Sequence, residues 1–142
     1  MHQIDEETSK KVHVLAEEGN VLLEDDNAPE AAIEKWTEAL SLLPTPAEVH
    51  AEALWLYASI GEAWLALKNE TEAFHAFDNA YRSPDGHLNP LVLLRLGEIH
   101  MRRDETDAAV KHLLRAYMLE GKEIFAESPD AFAYLKSHQS LT

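Results

Sequence analysis

The 142-residue sequence contains no cysteine, so a disulfide frame and a thiolate zinc site are both excluded. Basic residues are scarce: 12 Lys and Arg stand against 26 Asp and Glu, a formal net charge of -14. Such a surface repels nucleic acid and anionic membrane, and it suits a basic protein partner. No apolar run reaches the roughly 18–20 residues needed to cross a bilayer. The opening stretch MHQIDEETSKKVHVLAEE is charged and has no apolar h-region, so no signal peptide is expected and a cytoplasmic location is the default. A Gly-rich phosphate loop and a serine nucleophile elbow are also missing. The expectation is therefore no enzyme, no catalytic residue and no cofactor.

What is present is helical periodicity. Apolar residues return every three or four positions through most of the chain, and β-alternation does not persist over any useful length. Only 5 Gly and 6 Pro punctuate the pattern. Breaks fall near Asp25-Asp26-Asn27, Pro44-Thr45-Pro46, Lys68-Asn69, Ser83 to Pro90, Arg103-Asp104, Gly121 and Ser128-Pro129. Six helical segments and a short seventh lie between them, which makes the chain all-α. Three breaks share one chemistry. Asn27, Asn69 and Asp104 each precede an acid by three residues, the arrangement of an N-cap acceptor followed by a charge that favours the positive helix end.

The stretch from Tyr57 to Ala80 carries a rhythm of large and small residues: Tyr57, Ile60-Gly61, Trp64, Ala73, Phe77, Ala80. Shifted by 36 residues it recurs as Leu93, Leu96-Gly97, His100, Ala109, Leu113, Ala116. An earlier copy reads Leu15, Glu18-Gly19, Leu22, Ala32, Trp36, Ala39, Pro44, with one extra residue in the turn. Repetition at this period marks stacked helical hairpins. Gly61 and Ala73 are expected to let the two helices of one hairpin approach closely, with Tyr57, Trp64 and Phe77 filling the space left between them. A single hairpin cannot bury its own apolar face, so several must stack and the ends need a cap.

This pattern resembles the tetratricopeptide repeat (TPR), with its Trp-x2-Leu-Gly-x2-Tyr and Ala-x3-Phe-x2-Ala signature. The resemblance implies an all-α superhelix of three hairpins forming a single domain over residues 1–142, with repeats at about 12–44, 54–87 and 90–121 and a C-terminal cap at 122–138. The sequence departs from the signature at Glu18, at His100 and at Gly121, where a closing proline is usual. Extra residues around TPAEVHAEALW read as a lengthened helix between the first two copies.

In the family the first helix of each hairpin lines a concave groove. Carried onto this chain, the groove draws on His13, Ala16, Glu17, Asn20, Leu23 and Glu24, then Trp55, Ala58, Ser59, Glu62, Leu65 and Ala66, then Leu91, Leu94, Arg95, Glu98, Met101 and Arg102. Asn20, Glu24, Trp55, Ser59, Glu62, Leu94, Arg95, Glu98, Met101 and Arg102 are the candidate partner-binding residues. They suit a protein with an apolar anchor flanked by charge. The alternative places Trp55 and Leu94 in the core. Some relatives clamp a C-terminal carboxylate here, but the lysines that would do so are Ala16 and Leu91 in this chain. Glu72-x-x-His75, His13/Glu17 and His100/Asp104 are the possible metal-ligating pairs. Each lacks a third ligand, so no metal is expected.

Beyond Gly121, Phe125, Phe132, Tyr134 and Leu135 would close the open end of the last repeat, with Ser128-Pro129-Asp130 starting a short helix. This tail is similar to that of small bacterial TPR proteins, some of them immunity proteins of polymorphic, Rhs-type toxins. The resemblance implies stoichiometric binding of a cognate toxin domain, expected to be basic because the substrates of such domains are often anionic. A secretion chaperone holding an extended client, or an adaptor in a larger assembly, are the other readings.

Overall fold

A computed structural model describes residues 4–47 and 50–141. Among these residues there is no strand. The helices are α1 (Glu6–Glu24), α2 (Pro29–Ser41), α3 (Ala51–Ala66), α4 (Glu70–Arg82), α5 (Pro90–Arg102), α6 (Thr106–Glu120) and α7 (Pro129–His138), with 3-10 turns at Gly86–Leu88 and Gly121–Phe125. Consecutive helices pair as antiparallel hairpins: α1 with α2, α3 with α4, α5 with α6. The chain forms two compact units, Met1–Asp85 and Gly86–Thr142.

In the first unit, α2 packs on both α1 and α3, and one apolar cluster runs through the two hairpins. Val12, Ala32, Trp36, Ala39, Leu56, Ile60 and Ala63 are buried in it, with Leu15, Leu22, Tyr57 and Trp64 partly buried against it. In the second unit, Leu94 and Leu113 join Phe125, Ala131 and Leu135 in a cluster closed by α7. Phe125 stacks on Phe132 at 5.0 Å and Phe132 on Tyr117 at 6.1 Å. The expected cap is thus formed by the residues named for it, because α7 presents Ala131 and Leu135 four residues apart on one face.

The close approach within each hairpin is filled as expected. A Cβ placed on Gly61 would stand 2.7 Å from Phe77 Cζ, so the Phe77 ring lies on the glycine, with Ala73 fully buried in the same hairpin. The same geometry repeats. Gly19 lies under the Trp36 indole, whose Cε2 would be 2.7 Å from an added Cβ, and Gly97 lies under Leu113, whose Cγ would be 2.6 Å away. Trp36 also donates its indole N–H to the Ala16 carbonyl at 3.1 Å, across the same hairpin. Ala32, Ala73 and Ala109, and two helical turns later Ala39, Ala80 and Ala116, are all fully buried. The repeat therefore matches a gap on the first helix with a bulky side chain on the second.

The hairpin turns correct two of the three expected N-caps. Asn69 caps α4 as expected, its side chain accepting from the Glu72 amide at 3.1 Å. The caps of α2 and α6 are instead Ala28 and Glu105, neither of which makes a side-chain cap bond. Asn27 and Asp104 sit one residue earlier, with left-handed φ of 49° and 59°. Lys68 holds the same place in the middle hairpin with φ of 62°. This place follows the end of the first helix, where the backbone must reverse hand to leave it. Asn and Asp tolerate that conformation and Lys does so at a cost. Lys68→Gly is thus expected to raise stability by about 1 kcal/mol, whereas Asn69→Ala lowers it by about 0.5–2 kcal/mol. Urea unfolding followed by circular dichroism measures both.

Two further caps use side chains. Asp5 accepts from the Thr8 amide at 2.7 Å, and Asn89 from the Val92 amide at 3.1 Å ahead of Pro90. The Thr8 amide holds the Asp5 carboxyl below its ordinary value of 3.8. A carboxylate lowered in this way supports the helix at neutral pH, and the support fades as pH falls through the acid range. The Asp5 cap also starts α1 six residues ahead of the expected first repeat. The helix after the first copy is lengthened as expected, with 16 residues in α3 against 13 in α5, though it does not take up all of the extra residues. α3 begins at Ala51, three residues earlier than α5 in repeat register, while Thr45–Ala47 lie outside any α-helix. Glu48 and Val49 lie outside the described residues. His50 is buried at the start of α3, its Nε2 donating to the Pro44 carbonyl at 2.8 Å.

Candidate partner-binding surface

In the first unit the candidate residues lie on α1 and α3. α3 is apolar on nearly every face, and Ala53, Leu54, Leu56, Ala58, Ile60, Gly61 and Ala63 are buried along it. Such a helix is packed on most of its circumference. Trp55 is the exception, with 66% of its surface exposed. Ser59 and Glu62 follow at i+4 and i+7, half-buried on the same face. On α1, Asn20 is half-buried and Glu24 exposed. The chemistry offered is one large aromatic surface edged by a hydroxyl and a carboxylate.

In the second unit the candidates lie on α5, and they divide. Leu94 is 3% exposed and belongs to the cluster under α7. Arg95 and Glu98 pair across one helical turn at 3.0 Å, both largely buried, with side chains 24% and 15% exposed. The Arg95 charge is therefore matched by a neighbour on its own helix. Met101 is half-buried and Arg102 exposed. A pocket of about 470 Å³ is lined by Leu91, Leu94, Arg95, Ile124, Glu127 and Ser128. It exists because the 3-10 turn at Gly121–Phe125 brings Ile124 beside α5.

The histidine pairs are placed otherwise than expected. His100 Nδ1 meets Glu105 at 2.8 Å rather than Asp104, because Asp104 has already left the helix in its left-handed turn. The His100 ring stacks on His112 at 5.5 Å. His75 is exposed and stands edge-on to Phe74 at 5.9 Å. Among the described residues no three His, Asp or Glu side chains gather as a metal-holding group, and no helix is long and apolar enough to cross a membrane.

Two exposed apolar faces were not among the expected residues. Val14 and Val21 on α1 are 58% and 41% exposed, and Met118 on α6 is 75% exposed. Aligning the three repeats residue by residue, rather than only at their signature positions, is the signal that reveals the first of these.

The arrangement of paired helices has a match among solved structures. The MamA protein crystal structure superposes with a TM-score of 0.62 at 18% sequence identity, over 92% of this chain and 79% of that one. The fold is a TPR-like all-α helical repeat. No protein-family model matches the sequence, and no curated protein does.

Proposed function

We propose that the chain is a protein-binding module, and more narrowly an immunity protein that binds and neutralises a basic bacterial toxin domain. The observation that carries the binding reading is Trp55, a large aromatic left uncovered on a helix whose other faces are packed. Covering the exposed part of an indole contributes about 3 kcal/mol, enough for one side chain to anchor a complex. Ser59, Glu62 and Glu24, in the same unit, would edge that anchor. Net charge supports the narrower reading. An acidic inhibitor at -14 gains association rate toward a basic partner and disfavours acidic ones. The tail that resembles those of small bacterial TPR immunity proteins supports it as well.

Binding of this kind is stoichiometric and needs no cofactor. The test is co-expression with the variable C-terminal domain of a large protein encoded beside this one. Survival of cells that otherwise die, with a stable complex on gel filtration, is the expected result. Unchanged killing overturns the immunity reading. Retention only of a short extended segment would instead assign the groove to a chaperone or adaptor.

A further inference from the structure

The outer face of α1 carries core-type residues that no described residue covers. In repeat register Val14 corresponds to Leu56 and Val92, and Val21 to Ala63 and Ile99. Those four counterparts are between 0% and 3% exposed. Leu56 and Ala63 lie in the cluster they share with α2, so in the second hairpin this face is covered by a helix. In the first hairpin Val14 and Val21 stay open, flooring a hollow of about 520 Å³ with Leu22. Its rim carries Glu17, Glu18 and Asp26. Glu18 meets Lys35 at 3.6 Å, and among the described residues Glu17 and Asp26 make no ion pair.

One other surface of the chain has the opposite character. On α6, Met118 and Leu119 are 75% and 44% exposed, beside Leu114 in a shallow hollow of about 430 Å³. Lys111 and Arg115 flank them, and among the described residues neither makes an ion pair. An apolar helix face edged by unpaired bases is thus matched, in the same molecule, to an apolar hollow edged by unpaired acids.

We propose that a second copy of this chain docks its Met118 face on α6 onto the Val14–Val21 face of α1. Met118 enters the hollow, and Lys111 and Arg115 meet Glu17 and Asp26. The overall charge of -14 on each copy opposes association, but at about 0.15 M salt charges more than about 8 Å apart are largely screened. Charges in contact then decide, and these are of opposite sign. The two faces differ, so the contact is heterologous and each copy keeps one face free for the next.

Sedimentation velocity from about 1 µM to about 500 µM tests this, because a patch this small predicts a dissociation constant of about 10–100 µM. The wild-type mass average is expected to rise with concentration past that of a dimer. Val14→Asp with Val21→Asp removes one face, and Lys111→Glu with Arg115→Glu removes the other. Each variant alone is expected to stay monomeric with unchanged helicity. Mixed in equal amounts they should form a dimer and nothing larger, since each supplies the face the other lacks. Met118→Glu, at a side chain mostly in solvent, gives the same loss without touching either valine. A wild-type protein monomeric throughout, a mixture that stays monomeric, or association that survives either pair overturns the proposal.

Discussion

Phe77→Ala is expected to lower the unfolding free energy by about 3–5 kcal/mol, the cost of emptying a fully buried aromatic site. The size of the effect follows from where the ring lies. It fills the gap that Gly61 leaves on α3, so its removal opens a void with helix backbone on one side. Backbone cannot repack as side chains do, and the void stays open. The converse substitution tests the same fit. Gly61→Ala gains about 1 kcal/mol of helix propensity but drives a methyl into the ring, at a cost of about 1–3 kcal/mol. The net expectation is destabilisation. At Gly97 the same change should cost about as much, because an added Cβ meets not only a Leu113 methyl at 2.5 Å but also its Cγ at 2.6 Å and its backbone nitrogen at 3.3 Å, which methyl rotation does not move. At Gly19 it should be harsher, because the Trp36 indole is both rigid and tied to the Ala16 carbonyl. Urea titrations of the three alanine variants give the order directly, and a Gly19 variant as stable as the wild type would contradict this account of the repeat.

Trp55→Ala and Leu94→Ala are expected to behave in opposite ways although the repeat places both in the groove. Trp55→Ala should leave thermal unfolding almost unchanged, since the side chain is mostly in solvent already. Its effect should fall on partner binding, where loss of a central aromatic anchor costs about 2–4 kcal/mol, or roughly 30-fold to 1,000-fold in affinity. Leu94→Ala should cost about 2–5 kcal/mol of stability, because it empties the cluster closed by Phe125, Ala131 and Leu135. Calorimetry of the free variants, followed by titration with the partner, separates the two. A Trp55 variant that unfolds early, or one that binds its partner as the wild type does, would remove Trp55 from the proposed site.

The register of the repeat was open to reading because it depends on local chemistry. The three small residues at Gly19, Gly61 and Gly97 recur at fixed distance from Trp36, Phe77 and Leu113, apart from one inserted residue. Helix breaks fell where Pro, Gly and short polar residues cluster, since those residues act on the backbone within one turn. The turns themselves were harder. Asn27, Asn69 and Asp104 look alike in sequence, yet only Asn69 caps a helix while the other two take a left-handed turn. Both uses favour the same short polar side chains, so residue type does not separate them.

What the sequence determined by itself is the helical period, the breaks, and the matched glycine and bulky positions that pair helices within a hairpin. These rest on contacts between residues a few turns apart. Only the tertiary structure decided that Leu94 is covered while Trp55 is not, and that Val14 and Val21 stand open where their counterparts are buried. The physical reason is that exposure depends on what arrives from elsewhere in the chain. Along an apolar helix such as α3 or α5 the sequence offers several faces fit for burial, and the neighbouring helices choose among them.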